Sequence, residues 1–490
     1  MGITVDSNKY KTINSATKED NEKFNDIRCS TVYRPKLHIS PPHGLLNDPN
    51  GFCYFNDQYH LFYQWYPFGT IHGMKHWMHL TSSDLYSWQE HGSKITPVEQ
   101  YESHGAYSGA ALIEGDSAYL FYTGNIKMGD ERDATQCLAT LHKDNQVIKS
   151  PHNPVISSFP QGYTGHVRDP KIIKEDDVYY MLLGAQREKD LKGSIIVYCS
   201  NNLVDWTLKG ELSIDIDADF NQAFMFECPD LLKVDGQDVL IFSPQGITPK
   251  QDKFHNRYNV VYCIGKVDWP SLTFTVTHWD ELDRGFDFYA PQTMANSPSE
   301  PTLIAWAGTD NNLPSEQYGW VNCLTAPRKL SIKENRVHQS LFPINKNNLD
   351  LTLEGKKLAI GEAVKLESMS FLLDINYSQD ANLSITIFDE SDNEFIFTVD
   401  NKNKRLMMDR TNYNHNHPEY EFGSVRSCSL SEQSESSTIF CDQSIIEIFS
   451  DQGRDVFTSL FFPSSGDQYL KITCDVPVEI KTTLQYVNKI

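Results

Sequence analysis

The chain has 490 residues, 39% of them apolar and 22% charged, a balance that excludes a disordered protein and allows two or three domains. A formal charge of −22 excludes a nucleic-acid or anionic-membrane partner, since both require a basic face. It leaves open a phosphorylated small molecule held by a few local cations.

In chain order, residues 1–31 form a polar N-terminal segment, with a peripheral helix expected over about 9–26. The segment lacks the apolar core of a secretory signal. No window nears the ~20 continuous apolar residues that span a bilayer, so a cytoplasmic location is expected. The ten cysteines are scattered without a C-x-x-C pair. Reduced thiols are therefore expected, with no metal site, no disulfide framework and no cofactor.

From about residue 32 to 340 the chain reads as β-structure. Short apolar runs begin at Leu61, Leu120, Met181, Leu240 and Leu303, each about 60 residues after the last. Residues 82–88 (SSDLYSW) are echoed at 200–206 (SNNLVDW), close to two periods on. Five β units of this size predict a five-bladed propeller around a channel; ordinary strand spacing in a sandwich or barrel is the alternative. Residues 345–357 are mostly polar. The strands beyond, such as 444–449 and 456–462, break the period and predict a separate β-sandwich over 350–490.

A dozen or so residues before each run stand Asn47-Asp48-Pro49, Tyr107-Ser108-Gly109, Arg168-Asp169-Pro170, Glu227-Cys228-Pro229 and Tyr289-Ala290-Pro291. Their spacing matches the period, so they are expected on the innermost strands at one mouth of the channel. Three carry carboxylates. Acids that face one another repel, and two across a glycosidic bond are the minimum apparatus of a glycosidase. One stays ionised to attack, one is protonated to donate, and a third can hold substrate hydroxyls. A single such acid more often caps a turn; three in phase with a repeat argue for chemistry. A metal site is the weaker alternative, because no in-phase His joins the ring and Arg168 adjoins Asp169.

At these residues the sequence resembles glycoside hydrolase family 32, the invertases, fructanases and sucrose-6-phosphate hydrolases. The resemblance runs from about residue 32 to the end. Residues 38–51 (HISPPHGLLNDPNG) resemble the nucleophile motif and imply that role for Asp48. Residues 165–170 (GHVRDP) imply Asp169 as transition-state stabiliser beside Arg168, and 226–229 (FECP) imply Glu227 as acid/base. Residues 61–67 and 107–109 resemble substrate-contact motifs and implicate Gln64, Tyr107 and Ser108; Asn47, Trp77 and Trp306 join them as candidate sugar contacts. Residues 286–292 (FDFYAPQ) and 304–308 (IAWAG) also match. The family fold is a five-bladed propeller followed by a β-sandwich.

Two departures stand out. Leu45-Leu46 replaces the Trp-Met of many members, and where many sucrose- or fructan-cleaving members carry a Trp after the Gln motif, residues 68–77 read FGTIHGMKHW. The His-Gly-x-Lys-His-Trp pattern is more similar to the intracellular sucrose-6-phosphate hydrolases, so His72, Lys75 and His76 are candidates to hold a phosphate from an exposed rim. The expected reaction is retaining hydrolysis of sucrose 6-phosphate or sucrose. A fructan β-fructosidase, an inverting arabinanase-like propeller and a non-catalytic sugar-binding propeller are the alternatives.

Overall fold

The five apolar runs become the second strands of five antiparallel sheets, where side chains covered on both faces favour Leu, Ile, Phe and Tyr. The structure, a computed structural model, describes residues 9–129, 131–216, 218–308, 313–345, 348–350, 360–413, 422–476 and 481–487. The innermost strands of the five sheets are Gly44–Phe55, Ala106–Glu114, Tyr163–Glu175, Met225–Val234 and Tyr289–Thr293. Each adjoins the next and the last adjoins the first, which closes a five-bladed propeller. In each blade the innermost strand pairs with the second in an antiparallel hairpin: Gln58–Tyr66, Ser117–Met128, Val178–Arg187, Gln237–Gln245 and Thr302–Ala307.

The echoed heptapeptides are one turn used twice, joining the third and fourth strands of blades 1 and 3. Ser82 and Ser200 accept the backbone N–H of Leu85 and Leu203, at 2.9 and 3.0 Å. Trp88 and Trp206 donate to the carbonyls of the same leucines, at 2.9 and 3.0 Å. Both leucines take left-handed backbone, with φ of 68° and 66°.

The N-terminal helix runs Lys18–Cys29, later than expected. Thr17 and Asp20 form a capping box that sets its start, and the buried Phe24 stacks on His43 at 3.8 Å between centroids. Lys9 and Tyr10, upstream of the helix, instead reach the mouth of the channel. Residues 1–8 lie outside the described residues. Among the described residues no helix is long and apolar enough to cross a membrane.

Two six-stranded sheets follow the propeller and face each other as a sandwich. Leu383–Asp389 and Glu394–Asp400 alternate buried and half-buried residues, the pattern of strands with one face on a core. Of the polar run 345–357, residues 346–347 and 351–357 lie outside the described residues; Leu349 already pairs with Val487 in the sandwich.

A buried charge network links propeller and sandwich. Arg328 of blade 5 donates to Asp283 at 3.0 Å and to Glu447 of the sandwich. His38, just before blade 1, lies between Asp442 and Glu447 at 2.8 Å from each. All five side chains are fully enclosed. Burial opposes charge on His38, but the hydrogen bonds and charges of the two carboxylates outweigh it and raise the imidazole to about 9.

That shift gives a signed expectation. A histidine raised above its unfolded value of ~6.5 contributes stability fully below that pH and loses it as pH rises through about 9. His38→Gln should destabilise the protein by ~3–5 kcal/mol near pH 6.5, since it strips the cation from buried carboxylates. The gap from wild type, followed by urea unfolding, should narrow by pH 9.5. A gap independent of pH would mean that His38 is neutral in the fold.

Candidate active site

The hairpin registers explain how the ring of motifs forms. Every innermost strand slips register within its motif: across Asn47-Asp48 and Tyr107-Ser108 in blades 1 and 2, and one residue later, across Asp169-Pro170, Cys228-Pro229 and Ala290-Pro291, in blades 3 to 5. Proline has no N–H to offer a ladder and is tolerated at such bulges. Blade 2 carries Gly109 instead, where a Cβ would stand 1.9 Å from the Phe121 carbonyl oxygen. Asp169, Cys228 and Ala290 are driven to φ of 67°, 47° and 46°. Strain of this kind costs ~1–3 kcal/mol per residue and persists where the surrounding structure imposes it.

A bulge lets two consecutive side chains reach the channel. Asn47 and Asp48, Tyr107 and Ser108, Arg168 and Asp169, and Glu227 and Cys228 all line one cavity of about 410 Å³, with Tyr289 from blade 5. The triplets themselves, aligned on their proline or on Gly109, also correct the phase expected from spacing. Cys228, before its proline, is the equivalent of Asp48, Ser108 and Asp169. Glu227 stands one residue earlier, in step with Arg168 and Tyr289, each the last paired residue before its slip.

The three acids sit in different surroundings. Asp48 receives the Ser108 hydroxyl on one oxygen and the Asn47 amide, at 3.1 Å, on the other. Gln64 ties these neighbours together, accepting from Asn47 and donating to Ser108, each at 2.6 Å. Asp169 accepts the Cys228 backbone N–H at 3.0 Å and lies 3.9 Å from Arg168 Nε. Glu227 accepts from Arg168 Nε at 2.9 Å, from Gln245 at 2.7 Å and from the Tyr289 hydroxyl.

The protonation of Asp48 and Asp169 follows from burial and repulsion. Burial raises the Asp48 carboxyl above the usual range; Ser108 and Asn47 pull it down and the Glu227 charge adds to the rise. Burial likewise raises Asp169, against Arg168 and with Glu227 and Asp48, to about 7. Burial disfavours the Arg168 cation, but Glu227 and Asp169 outweigh this and hold it above its ordinary value. Burial and the Glu227 charge hold the Tyr289 phenol well above its ordinary value, so it stays a donor. Among the described residues no group of three or more His, Cys, Asp or Glu is arranged to hold a metal ion. What the cavity offers is carboxylates in unlike environments, the requirement for acid and nucleophile roles in cleaving a glycosidic bond.

Most residues singled out from the sequence line this cavity: Asn47, Asp48, Gln64, His72, Lys75, Tyr107, Ser108, Arg168, Asp169, Glu227 and Trp306. Two do not. Trp77 is fully buried and donates to the Tyr107 carbonyl at 3.0 Å, so it positions Tyr107 instead of meeting a sugar. His76 is fully buried between the Ile13 N–H and the Met74 carbonyl, and burial lowers it to about 4. It is neutral at pH 7 and enclosed, which rules out a phosphate contact. Lys75 is no rim residue either. It is 3% exposed, and its ammonium meets Asn47 at 2.6 Å and His72 at 2.8 Å.

The sequence reading left out several lining residues. Tyr289 and Gln245 grip Glu227, and Tyr258 lies against Tyr289 at 4.8 Å between centroids. Tyr289 was within reach, since it stands in phase with the other motifs; Gln245 carries no such mark. Lys9, Tyr10, His104, Lys127 and Arg132 also line the cavity.

Comparison with known proteins agrees with this geometry. Residues 38–342 match the model for the N-terminal domain of glycosyl hydrolases family 32, and 332–484 match that for its C-terminal region. The chain is similar to the sucrose-6-phosphate hydrolase of Vibrio alginolyticus, 36% identical over 93% of this chain and 91% of the relative. It is also similar to that of Staphylococcus xylosus, 35% identical over 95% of this chain and 97% of the relative. Its fold is similar to that of the sucrose-6-phosphate hydrolase from Lactobacillus gasseri, with TM-score 0.86, 30% identity and 98% of each chain covered. The Bombyx mori GH32 β-fructofuranosidase matches with TM-score 0.85 at 29% identity over 97% of this chain and 99% of that one. Propeller, sandwich, ring of acids and matched segments agree: this chain is a glycoside hydrolase and belongs to glycosyl hydrolases family 32.

Proposed function

We propose that this enzyme hydrolyses the β-fructofuranosidic bond of sucrose 6-phosphate, and of sucrose, by double displacement with retention. The observation that carries the reading is the meeting of Asp48, Asp169 and Glu227, from three separate bulges, in one cavity. The sucrose-6-phosphate hydrolases among the relatives support the substrate. A phosphorylated disaccharide also fits a cytoplasmic enzyme.

In this reading Asp48 attacks the anomeric carbon of the fructosyl unit. Ser108 and Asn47 each hold one of its oxygens and so aim it. Glu227 protonates the departing oxygen, then takes a proton from the water that releases fructose. Arg168, Gln245 and Tyr289 fix its carboxyl. Asp169, anchored by the Cys228 N–H, accepts fructosyl hydroxyls and offsets charge on the oxocarbenium-like centre.

Two mutants separate the roles. Asp48→Asn should abolish turnover with the fold intact. Glu227→Gln should cost ~10²–10⁴-fold on sucrose but less on a substrate with a good leaving group, and azide should restore its turnover. NMR of the first product formed by the wild type should show retained configuration. Azide rescue of Asp48→Asn to an inverted product would reverse the assignment.

A third expectation concerns stability. A carboxyl raised to about 7 costs the fold nothing below its unfolded value of ~3.9, and its full penalty falls above pH 7. Asp169→Asn should therefore be inactive yet melt higher than wild type at pH 8, with the difference closing towards pH 4. A lower melting temperature at pH 8 would mean that Asp169 supports the fold as a carboxylate.

A further inference from the structure

Five cationic side chains line the cavity among the described residues: Lys9, Lys75, Lys127, Arg132 and Arg168. Two are occupied by the site itself, Arg168 with Glu227 and Lys75 with Asn47 and His72. The other three are Lys9, Lys127 and Arg132. Among the described residues no carboxylate stands within 4 Å of Lys9, Lys127 or Arg132, in a chain whose net charge is −22.

Lys127 and Arg132 are direct cross-strand partners in the second hairpin of blade 2. Like charges set opposite each other on a sheet face are destabilising, so the pair weakens the hairpin unless an anion joins it. Its surroundings hold it at the cavity. The Arg132 guanidinium lies over the Tyr107 ring at 5.6 Å, and Tyr107 precedes Ser108, which bonds Asp48. Behind it, a Cβ on Gly165 would stand 1.9 Å from the Arg132 carbonyl oxygen, so only glycine lets the strand bearing Asp169 approach so closely. Lys127 donates to the Tyr10 hydroxyl at 3.3 Å, which leaves the phenol proton free to point elsewhere. Tyr10 packs edge-on against His104 at 4.8 Å.

We infer that Lys127 and Arg132, with the Tyr10 hydroxyl, form an anion subsite that holds the phosphate on the leaving half of the substrate. The inference rests on the phosphorylated-substrate reading above and moves the phosphate away from Lys75 and His76. Two cations on adjacent strands, one of them a planar guanidinium fork, match a dianion with three equivalent oxygens. The N-terminal segment thereby becomes part of the substrate site through Tyr10.

The test is the ratio of kcat/KM for sucrose 6-phosphate to that for sucrose. Wild type should favour the phosphate. Lys127→Gln and Arg132→Gln should each lower the ratio about tenfold or more, the scale of one hydrogen bond between charged groups. Arg132→Lys should restore part of it. In wild type, glucose 6-phosphate should inhibit sucrose hydrolysis more strongly than glucose, and Arg132→Gln should remove the difference. A wild-type preference that survives both substitutions would overturn the subsite and leave the substrate reading standing. A wild type with no preference, inhibited equally by glucose and glucose 6-phosphate, would overturn both. The conservative Arg132→Lys variant keeps the subsite testable if a glutamine variant fails to fold, because its partial preference must lie between wild type and none.

Discussion

Repulsion among three carboxylates that share one cavity is the constraint around which this molecule is built. Asp48, Asp169 and Glu227 share one cavity, and burial together with their mutual charge raises the first two well above ordinary carboxyls. A small domain would not tolerate this. Here each acid stands on a separate innermost strand, and each strand is clamped into a sheet of four or five. The counter-charge is placed asymmetrically. Arg168 sits on Glu227, whereas Asp48 has neutral donors, Ser108 and Asn47.

The bulges turn a repeat into a site. A regular strand sends alternate residues to opposite faces. The slipped register within each motif delivers neighbours, so Arg168 and Asp169, or Glu227 and Cys228, both reach the channel. Left-handed backbone at Asp169 and Cys228 is the local cost of that arrangement. The sandwich acts at a distance. Glu447 meets both Arg328 and His38, and His38 opens the segment that leads into the strand of Asp48.

Much of this was legible in the sequence because a propeller repeats. Apolar runs at a fixed interval mark second strands, and the proline-bearing triplets ahead of them mark the ring. The phase needs care: by residue count Glu227 looks in step with Asp48, but the prolines of the triplets put it one residue earlier, level with Arg168 and Tyr289 as in the hairpin registers. Burial was the second blind spot. Lys75 and His76 read as a rim cluster, but the chain folds His76 inward to cap Ile13 and turns Lys75 onto Asn47. Trp77 reads as a sugar platform and proves to be a strut for Tyr107. Lys127, Arg132 and Tyr10 were missed because their meeting depends on a hairpin pairing and on the path of a segment more than a hundred residues away in the chain.

The most direct test of the account is to trap the covalent intermediate. Glu227→Gln, mixed with a fructosyl donor bearing a good leaving group and digested after acid quench, should yield a peptide spanning Asp48 that carries one added fructosyl mass by mass spectrometry. The fragment ions should place that mass on Asp48. A fructosyl group found on Asp169, or no adduct while product forms in a single inverting step, would contradict the assignment of the ring.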